Sequence, residues 1–366
     1  MRKLLAWALG LALAAMFAAA ASADIKIAVV GPMTGPEAAF GHQYGIGARA
    51  AVDDINASGG LLGQQIELKF SDDACDPGQA VNVANQLVSE GVVFVVGHYC
   101  SHASIPASKV YEEDAVIQIS PSTSNPKFTD EGGPNVFRVS GRDDQQGGVA
   151  GAYLAENFAD KNIAVIHDRS TYGKGLADET KRALNEAGKQ EVFQDHYTKG
   201  DKDLSALVSK LKRNKIDVVY VGGYHDEAGL LVRQMRDQGL DTILMGGDTL
   251  MTKQYAEITG KAGDGTLMTF PPDPRKNPAA AKTVEEFRAK DIEPEGYVLY
   301  SYAAIQVWKQ AVEQAGSLDP AKVVEALHSG EFDTVIGSFK FDEKGDPDLR
   351  PFAFYRWQDG SYAQIN

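Results

Sequence analysis

Short apolar runs and segments with helical periodicity alternate along almost the whole chain, and this pattern constrains the fold most strongly. The runs are rich in valine and isoleucine, as is typical of buried strands, and apolar residues recur at helical spacing between them. Glycine often follows these segments, as at Gly91, where it is the usual helix stop. Repeated βαβ units predict an α/β fold with parallel sheets and helices on both faces. The predicted strands are 25–30, 66–70, 92–96, 115–119, 163–167, 218–221, 243–245 and 267–270.

Two parts of the chain depart from this pattern. Between Gln65 and Phe70, polar and apolar residues alternate, which predicts a strand at a sheet edge with one solvated face. The segment 336–360 contains two short strand-like runs separated by a charged turn.

Because 366 residues exceed the size at which single cores stop growing, we expect two lobes. The strand count favours boundaries near Gly141 and Pro271.

The first residues have the pattern of a secretory signal peptide. Arg2 and Lys3 precede an alanine-rich apolar stretch, and the small residues at 21–23 form a cleavage site. A membrane anchor is the alternative, because the apolar stretch is of borderline length for a span. We predict that 1–23 is a signal peptide and that the mature protein is exported.

The two cysteines of the chain, Cys75 and Cys100, both lie near predicted strand ends. Two cysteines in an oxidising compartment usually pair, so export predicts a disulfide between them.

Cys100 also leads into a helix start at Ser101. Free N–H groups with a hydroxyl beside them form a ready carboxylate site, which predicts a small-molecule cleft here. A metal site of His98, Cys100 and His102 is the disfavoured alternative, because a bonded cysteine is not a thiolate ligand.

Charge and motif content narrow the classes of function. The chain has 36 basic and 50 acidic residues and a net charge of −14, whereas nucleic acids and anionic membranes attract basic surfaces. The sequence contains no G-x-S-x-G elbow, P-loop, H-E-x-x-H or spaced C-x-x-C pair. We therefore predict a binding protein that is not an enzyme, with no cofactor, no metal and no nucleic-acid partner.

The chain contains the stretches DIKIAVVGPMTGP, SDDACDPGQAVNVANQLV, VVGHYCSHAS, HDRSTYGKGLA and VYVGGYHDEAG. They resemble the periplasmic leucine/isoleucine/valine-binding proteins, which are type I periplasmic solute receptors, and the likeness covers nearly all of the predicted mature chain. The resemblance implies two doubly wound parallel-sheet lobes joined by a three-crossover hinge. It also implies a periplasmic monomer that closes on an amino acid and delivers it to an ABC permease in the inner membrane.

The resemblance further implies lobes that are discontinuous in sequence. It places the N-terminal lobe at 24–142 plus 272–331 and the C-terminal lobe at 143–271 plus 332–366. The sequence alone supports only the boundaries near Gly141 and Pro271.

Three serines match the family's ligand site in the N-terminal lobe. Ser101 opens a helix, so its hydroxyl and N–H can hold a ligand carboxylate. Ser122 and Ser124 lie in a turn after the next predicted strand and offer backbone groups and a hydroxyl to the carboxylate and ammonium. Helix capping is the alternative role for such a serine-rich turn.

Three residues match the site in the C-terminal lobe, each just past a predicted strand end. Tyr172 and Tyr224 are expected to cover the ligand with their ring faces, and packing between helices is the alternative. Asp248 stands where the family has a glutamate that pairs with the ligand α-ammonium. The aspartate keeps the charge but is shorter by one methylene, so the ligand or the lobe must move or a water must bridge.

Two further positions depart from the family and bear on ligand identity. Phe40 stands where the family has a tyrosine, and Tyr99 stands where it has a leucine, so the side-chain pocket is expected to differ. We expect an aliphatic amino acid first, then another neutral amino acid. A non-amino-acid carboxylate such as an aromatic acid comes third, because Asp248 would then be an unpaired charge. A ligand-sensing domain with a signalling partner has the same fold and site and remains the alternative function.

Overall fold

A computed structural model describes residues 24–349 and 352–365. The predicted signal peptide over 1–23 lies outside these residues. Within them, no helix is long and apolar enough to cross a membrane. The strands are β1 (Ile25–Gly31), β2 (Ile66–Asp72), β3 (Phe94–Gly97), β4 (Ile117–Ser120), β5 (Val136–Arg138), β6 (Ile163–His167), β7 (Phe193–His196), β8 (Val218–Gly222), β9 (Ile243–Gly246), β10 (Leu267–Phe270), β11 (Phe332–Thr334), β12 (Gly337–Phe339), β13 (Ala353–Gln358) and β14 (Ser361–Gln364).

The helices alternate with the strands over most of this range, as the sequence pattern predicts. They are α1 (Ala38–Ala57), α2 (Pro77–Ser89), α3 (Ser101–Glu113), α4 (Lys127–Asp130), α5 (Asp143–Asn157), α6 (Thr171–Glu186), α7 (Ser205–Arg213), α8 (His225–Asp237), α9 (Lys253–Thr259), α10 (Ala281–Arg288), α11 (Val298–Ala315) and α12 (Pro320–Ser329). The α/β fold class is confirmed.

The first sheet is parallel throughout, in the order β2-β1-β3-β4-β5. Its edge strand β2 is the one with alternating apolar and polar residues, and part of it is exposed, as predicted. Two predicted strands begin two residues later than expected, at Phe94 and Ile117. Before β4, Ala115 adopts a left-handed backbone conformation with φ of 55°, which a strand residue cannot have.

The second sheet has the order β14-β13-β10-β9-β8-β6-β7 and is not wholly parallel, in contrast to the prediction. Strand β13 pairs antiparallel with β10, and β14 returns antiparallel to β13. The turn between the last two strands is Asp359-Gly360, and both residues have positive φ. This is the backbone of a two-residue hairpin, which allows antiparallel neighbours without a crossover helix.

We call the part of the molecule built on the first sheet the first lobe and the part built on the second sheet the second lobe. The chain passes between them three times: from β5 to α5, from β10 to α10, and from β12 to β13. After the second crossover it returns to the first lobe, where α11 packs against α1. Gly47 permits this packing, since a side chain there would overlap the carbonyl of Val298.

The segment before the third crossover also contacts the first lobe. Strand β11 packs against α11, and the rings of Phe341 and Phe137 lie 4.9 Å apart. Farther along, Gly345 accepts a backbone hydrogen bond from Arg138 at 3.1 Å. The division of the chain into lobes stays a prediction, and these contacts favour a last boundary near 349 instead of 331.

Candidate functional site

The first wall of the candidate site is formed where β3 leads into α3. Cys100 is the N-cap residue, and its carbonyl accepts the amides of Ala103 and Ser104 at 2.9 Å. The amides of Ser101 and His102, at the start of this helix, have no intrahelical acceptor and are available to an anion. The predicted disulfide from Cys75 to Cys100 is confirmed, with 5.5 Å between the Cα atoms.

The side chains considered for a metal site have other partners in this region. His98 is buried; its Nδ1 lies 2.6 Å from the Asp73 carboxylate and its Nε2 lies 3.0 Å from the Tyr111 hydroxyl. The Nε2 atom of His102 bonds the carbonyl of Cys75 at 2.7 Å. With the Cys100 sulfur in a disulfide, these atoms serve internal bonds that tighten the wall beneath α3.

The second wall is the serine-rich turn after β4. The hydroxyl of Ser120 accepts the amides of Ser122 at 3.3 Å and Thr123 at 2.9 Å, so it closes the turn on itself. These bonds do not cap a helix, because α4 begins only at Lys127 and its N-cap residue, Pro126, makes no side-chain cap bond. Ser122 also shares a hydrogen bond with the Tyr44 hydroxyl. Both Ser122 and Ser124 are buried at the boundary with the second lobe.

The second lobe brings three predicted residues to the same place, because the carboxyl ends of its parallel strands meet at one sheet edge. Tyr172 lies in the first turn of α6 after β6, and Tyr224 is the N-cap residue of α8 after β8. Asp248 begins a short 3₁₀ turn, Asp248–Leu250, after β9. The two tyrosine rings lie 5.3 Å apart, and all three side chains are buried.

Asp248 receives a hydrogen bond from each lobe. The Tyr172 hydroxyl donates to one carboxylate oxygen at 2.8 Å, and the Tyr297 hydroxyl donates to the other. Burial raises the pKa of Asp248, although the hydrogen bonds from Tyr297 and Tyr172 act to lower it. Among the residues that the structure describes, no cation pairs with Asp248, and both tyrosine donors are neutral, so a positively charged group in the cleft would be stabilised there.

Tyr297 was not among the predicted site residues. It directly precedes α11, in the apolar run GYVLYSYAAIQVW, where three tyrosines recur. That run is typical of a buried helix, and nothing in it distinguishes Tyr297 from Tyr300 or Tyr302. Only the packing of the lobes shows that this hydroxyl meets Asp248.

These walls meet around a nearly filled cleft between the lobes, with a cavity volume of only about 10 Å³ in this closed arrangement. Phe40, the eighth predicted residue, lies behind the wall, where its ring stacks on that of Tyr99 at 4.5 Å. The binding roles of all eight residues stay predictions. The cleft is lined by Tyr99, Ser101, Ser122, Ser124, Tyr172, Tyr224, Asp248 and Thr249.

Tyr99 gives the cleft a polar atom without a partner. Its ring is buried, and its hydroxyl has no hydrogen-bond partner among the described residues. Burial, reinforced by the charge of Asp248, raises the pKa of Tyr99, so its hydroxyl stays protonated. The ring therefore lines the cleft and offers it one hydroxyl, and its effect on the choice of ligand stays a prediction.

Contacts across the cleft hold the lobes together in a closed arrangement. The ammonium of Lys199 lies 2.6 Å from the Glu37 carboxylate of the first lobe and 4.3 Å from the ring centroid of Tyr224. On the other side, the Asn125 side chain donates to the Thr171 carbonyl at 3.1 Å. The sequence did not point to these pairs, because the members of each pair come from different lobes and lie far apart in the chain.

Comparisons with known proteins agree on one family. A family model described as periplasmic binding protein matches residues 24–361. The Leu/Ile/Val-binding protein homolog 1 of Brucella suis is 47% identical over 367 residues, covering 100% of this chain and 99% of the relative. The leucine-binding protein LivK of Thermotoga maritima superposes with a TM-score of 0.88 at 30% identity, covering 93% of this chain and 98% of that one. LivJ of Streptococcus pneumoniae, solved in complex with isoleucine, gives 0.85 at 26% identity, covering 94% and 99%.

Proposed function

This chain belongs to the periplasmic binding protein family, and we propose that it is an extracytoplasmic receptor for an aliphatic or other neutral amino acid. In this proposal the protein closes on the amino acid and delivers it to an ABC permease. The observation that carries the proposal is the placement of Asp248 across the cleft from Ser101 and the serine-rich turn. An anion on one wall and hydrogen-bond donors on the other match an α-ammonium and an α-carboxylate.

The proposed roles follow from the chemistry of each wall. The amide and hydroxyl of Ser101, together with Ser122 and Ser124, hold the ligand carboxylate by charge-assisted hydrogen bonds. Asp248 pairs with the ammonium, and Tyr224 covers it with a ring face, a contact worth roughly 0.5–2 kcal/mol. The side chain of the amino acid then points toward Tyr99.

Binding and closure are coupled in this mechanism. The serines of the first lobe bind the ligand first, and Tyr172, Tyr224 and Asp248 complete the cage when the lobes close. The ligand stabilises the closed form because it gains contacts with both lobes only there. The family consists of solute-binding proteins, and we extend this to a non-enzymatic, periplasmic monomer.

The first prediction tests the proposal with a ligand panel. Mature protein is stripped of ligand by unfolding and refolding, and thermal shifts are measured with all the neutral amino acids, leucine, isoleucine, valine and alanine among them, and with benzoate. A ligand at a hundredfold excess over its dissociation constant stabilises the folded protein by about 2.7 kcal/mol. We therefore expect at least one amino acid to raise the melting temperature by several degrees. A shift with benzoate alone would replace the amino acid with an aromatic acid, and no shift at all would contradict the receptor function.

The second prediction concerns the side-chain pocket. Replacing Tyr99 with leucine removes a ring that narrows the cleft, so larger aliphatic ligands should gain affinity relative to alanine. One methylene in an apolar pocket is worth about 1–3 kcal/mol, so we expect the ratio of the leucine and alanine dissociation constants to change about tenfold or more in calorimetry. Tyr153→Leu, which removes a ring stacked on Phe354 outside the cleft, should leave the ratio unchanged. An unchanged ratio in the Tyr99 variant would exclude it from the side-chain pocket.

A further inference from the structure

Arg138 is a fully buried cation behind the serine-rich turn. It is the last residue of β5, and its guanidinium spreads over four acceptors. Nη1 donates to the Thr123 carbonyl at 2.6 Å, and Nη2 donates to the Asn125 carbonyl at 3.1 Å. Nη2 also donates to the Thr129 hydroxyl at 2.7 Å. Nε donates to the Asp346 carboxylate at 2.6 Å, which neutralises the charge.

Asp346 joins this cation to two of the three crossovers. It lies between β12 and β13, on the third crossover, while its carboxylate also accepts from Arg142 Nη1 at 2.6 Å. Arg142 is the N-cap residue of α5 and lies on the first crossover. Arg142 adjoins the expected boundary near Gly141, and Asp346 lies just before the one near 349, so we place the carboxylate beside the hinge.

Three consecutive carbonyls of the turn are held from this hinge. Arg138 binds those of Thr123 and Asn125, and the amide of Asp143 donates to that of Ser124 at 2.8 Å. In a trans peptide the carbonyl and the next N–H point in opposite directions. With the Thr123 carbonyl facing Arg138, the Ser124 N–H faces away from the guanidinium, and it has no acceptor among the described residues.

We propose that Arg138 and Asp346 are positioning residues for the ligand. By fixing the carbonyl of Thr123, they orient the N–H of Ser124 toward the place where the ligand carboxylate binds. Because Asp346 lies beside the hinge, this orientation is coupled to the arrangement of the lobes. The Asn125 side chain extends the link to Thr171 in the second lobe. This inference rests on the proposed amino-acid site and adds two residues that do not line the cleft.

The geometry requires arginine. A planar guanidinium can bind two carbonyls, a hydroxyl and a carboxylate at fixed angles, whereas a lysine ammonium has three donors and no fork. Arg138→Lys therefore keeps the charge and loses the orientation of the turn. Asp346→Asn, almost identical in size, removes the charge that holds the guanidinium.

Calorimetry and hydrogen exchange test the inference with a control from the same cluster. The ligand is whichever neutral amino acid, leucine, isoleucine, valine and alanine included, the wild type binds most tightly. We expect Arg138→Lys and Asp346→Asn to raise its dissociation constant about tenfold or more. Asp130→Asn removes ion pairs with Arg142 and Lys344 but no contact of Arg138, and should stay within about twofold.

A positioning role also predicts a local signature. In the liganded wild type the Ser124 amide should be protected from exchange, and in Arg138→Lys this protection should fall while the amides of β3 stay protected. Lower melting temperature with unchanged affinity and unchanged Ser124 protection would overturn the inference and leave the receptor function standing. If Arg138→Lys does not fold, Asp346→Asn decides the matter alone. A wild type that binds no neutral amino acid would overturn the proposed function, and the positioning role with it.

Discussion

Replacing Asp248 with asparagine is expected to weaken the binding of a neutral amino acid by about 30-fold or more. Removing one partner of a buried, hydrogen-bonded charge pair typically costs about 2–5 kcal/mol, and each 1.4 kcal/mol is a factor of ten in affinity. The amide keeps the size of the side chain and can still accept one hydrogen bond from Tyr172 or Tyr297. What is lost is the negative charge that would face the ligand ammonium.

The same change should leave the unliganded protein as stable as before, or slightly more stable. The pKa of Asp248 is raised by burial, so the folded state binds its proton more tightly than the unfolded state does. Its contribution to stability is therefore present at low pH and is lost as the pH rises from its unfolded value, near 3.8, through the raised folded value. At neutral pH the buried, ionised carboxylate destabilises the folded protein, and asparagine removes this destabilisation. A loss of affinity in the variant can therefore be distinguished from a loss of stability.

Calorimetry at several pH values measures both effects. In the wild type, affinity should fall as the pH is lowered through the raised pKa of Asp248, because the protonated acid cannot pair with an ammonium; the variant should lack this dependence on Asp248. Asp143 also has a pKa raised by burial and by the charge of Asp248, so comparison with the variant is needed to assign the pH dependence to Asp248. Glu227→Gln alters a buried acid on α8 outside the cleft and serves as the control. Equal affinity of wild type and the Asp248 variant would exclude Asp248 as the counter-ion.

The regular part of the fold was visible in the sequence because buried parallel strands are short continuous apolar runs. Strands β5 and β7 were not predicted, for two physical reasons. Val136–Arg138 has three residues and ends in an arginine that forms its ion pair with Asp346, 208 positions away. Phe193–His196 is a polar strand at the sheet edge, with alternate residues exposed, so no apolar run marks it.

The site residues that could be predicted from the sequence are those whose position is set by the strand that precedes them in the chain. Ser101, Tyr224 and Asp248 each follow a strand directly, so the chain itself places them at a sheet edge. Tyr297 reaches Asp248 only because the lobes close. Arg138 binds backbone carbonyl groups, and because every residue has one, the sequence does not show which of them it binds. Residues that contact a ligand from strand ends can thus be found from a pattern, whereas those that act across the cleft or through the backbone require coordinates.

Removing the Cys75–Cys100 disulfide is expected to lower the free energy of unfolding by about 3–4 kcal/mol in the unliganded protein. The bond closes a loop with a sequence separation of 25, and its loss gives the unfolded chain back the corresponding conformational freedom. Replacing both cysteines with alanine avoids placing new polar groups in two buried positions. Chemical denaturation of the double variant, compared with the wild type, gives the difference.

Amino-acid affinity should change little in this variant, because other bonds hold the backbone that leads into α3. The carbonyl of His98 accepts hydroxyl hydrogen bonds from Ser120 at 2.8 Å and Thr123 at 2.9 Å. These bonds keep the amide of Ser101 in place when the sulfur bridge is gone. Wild type treated with a reductant should match the double variant, and the variant should not respond to the reductant. A stability loss below about 1 kcal/mol would show that the reference unfolded chain is already constrained in this loop, and a large loss of affinity would show that the disulfide itself orients the carboxylate site.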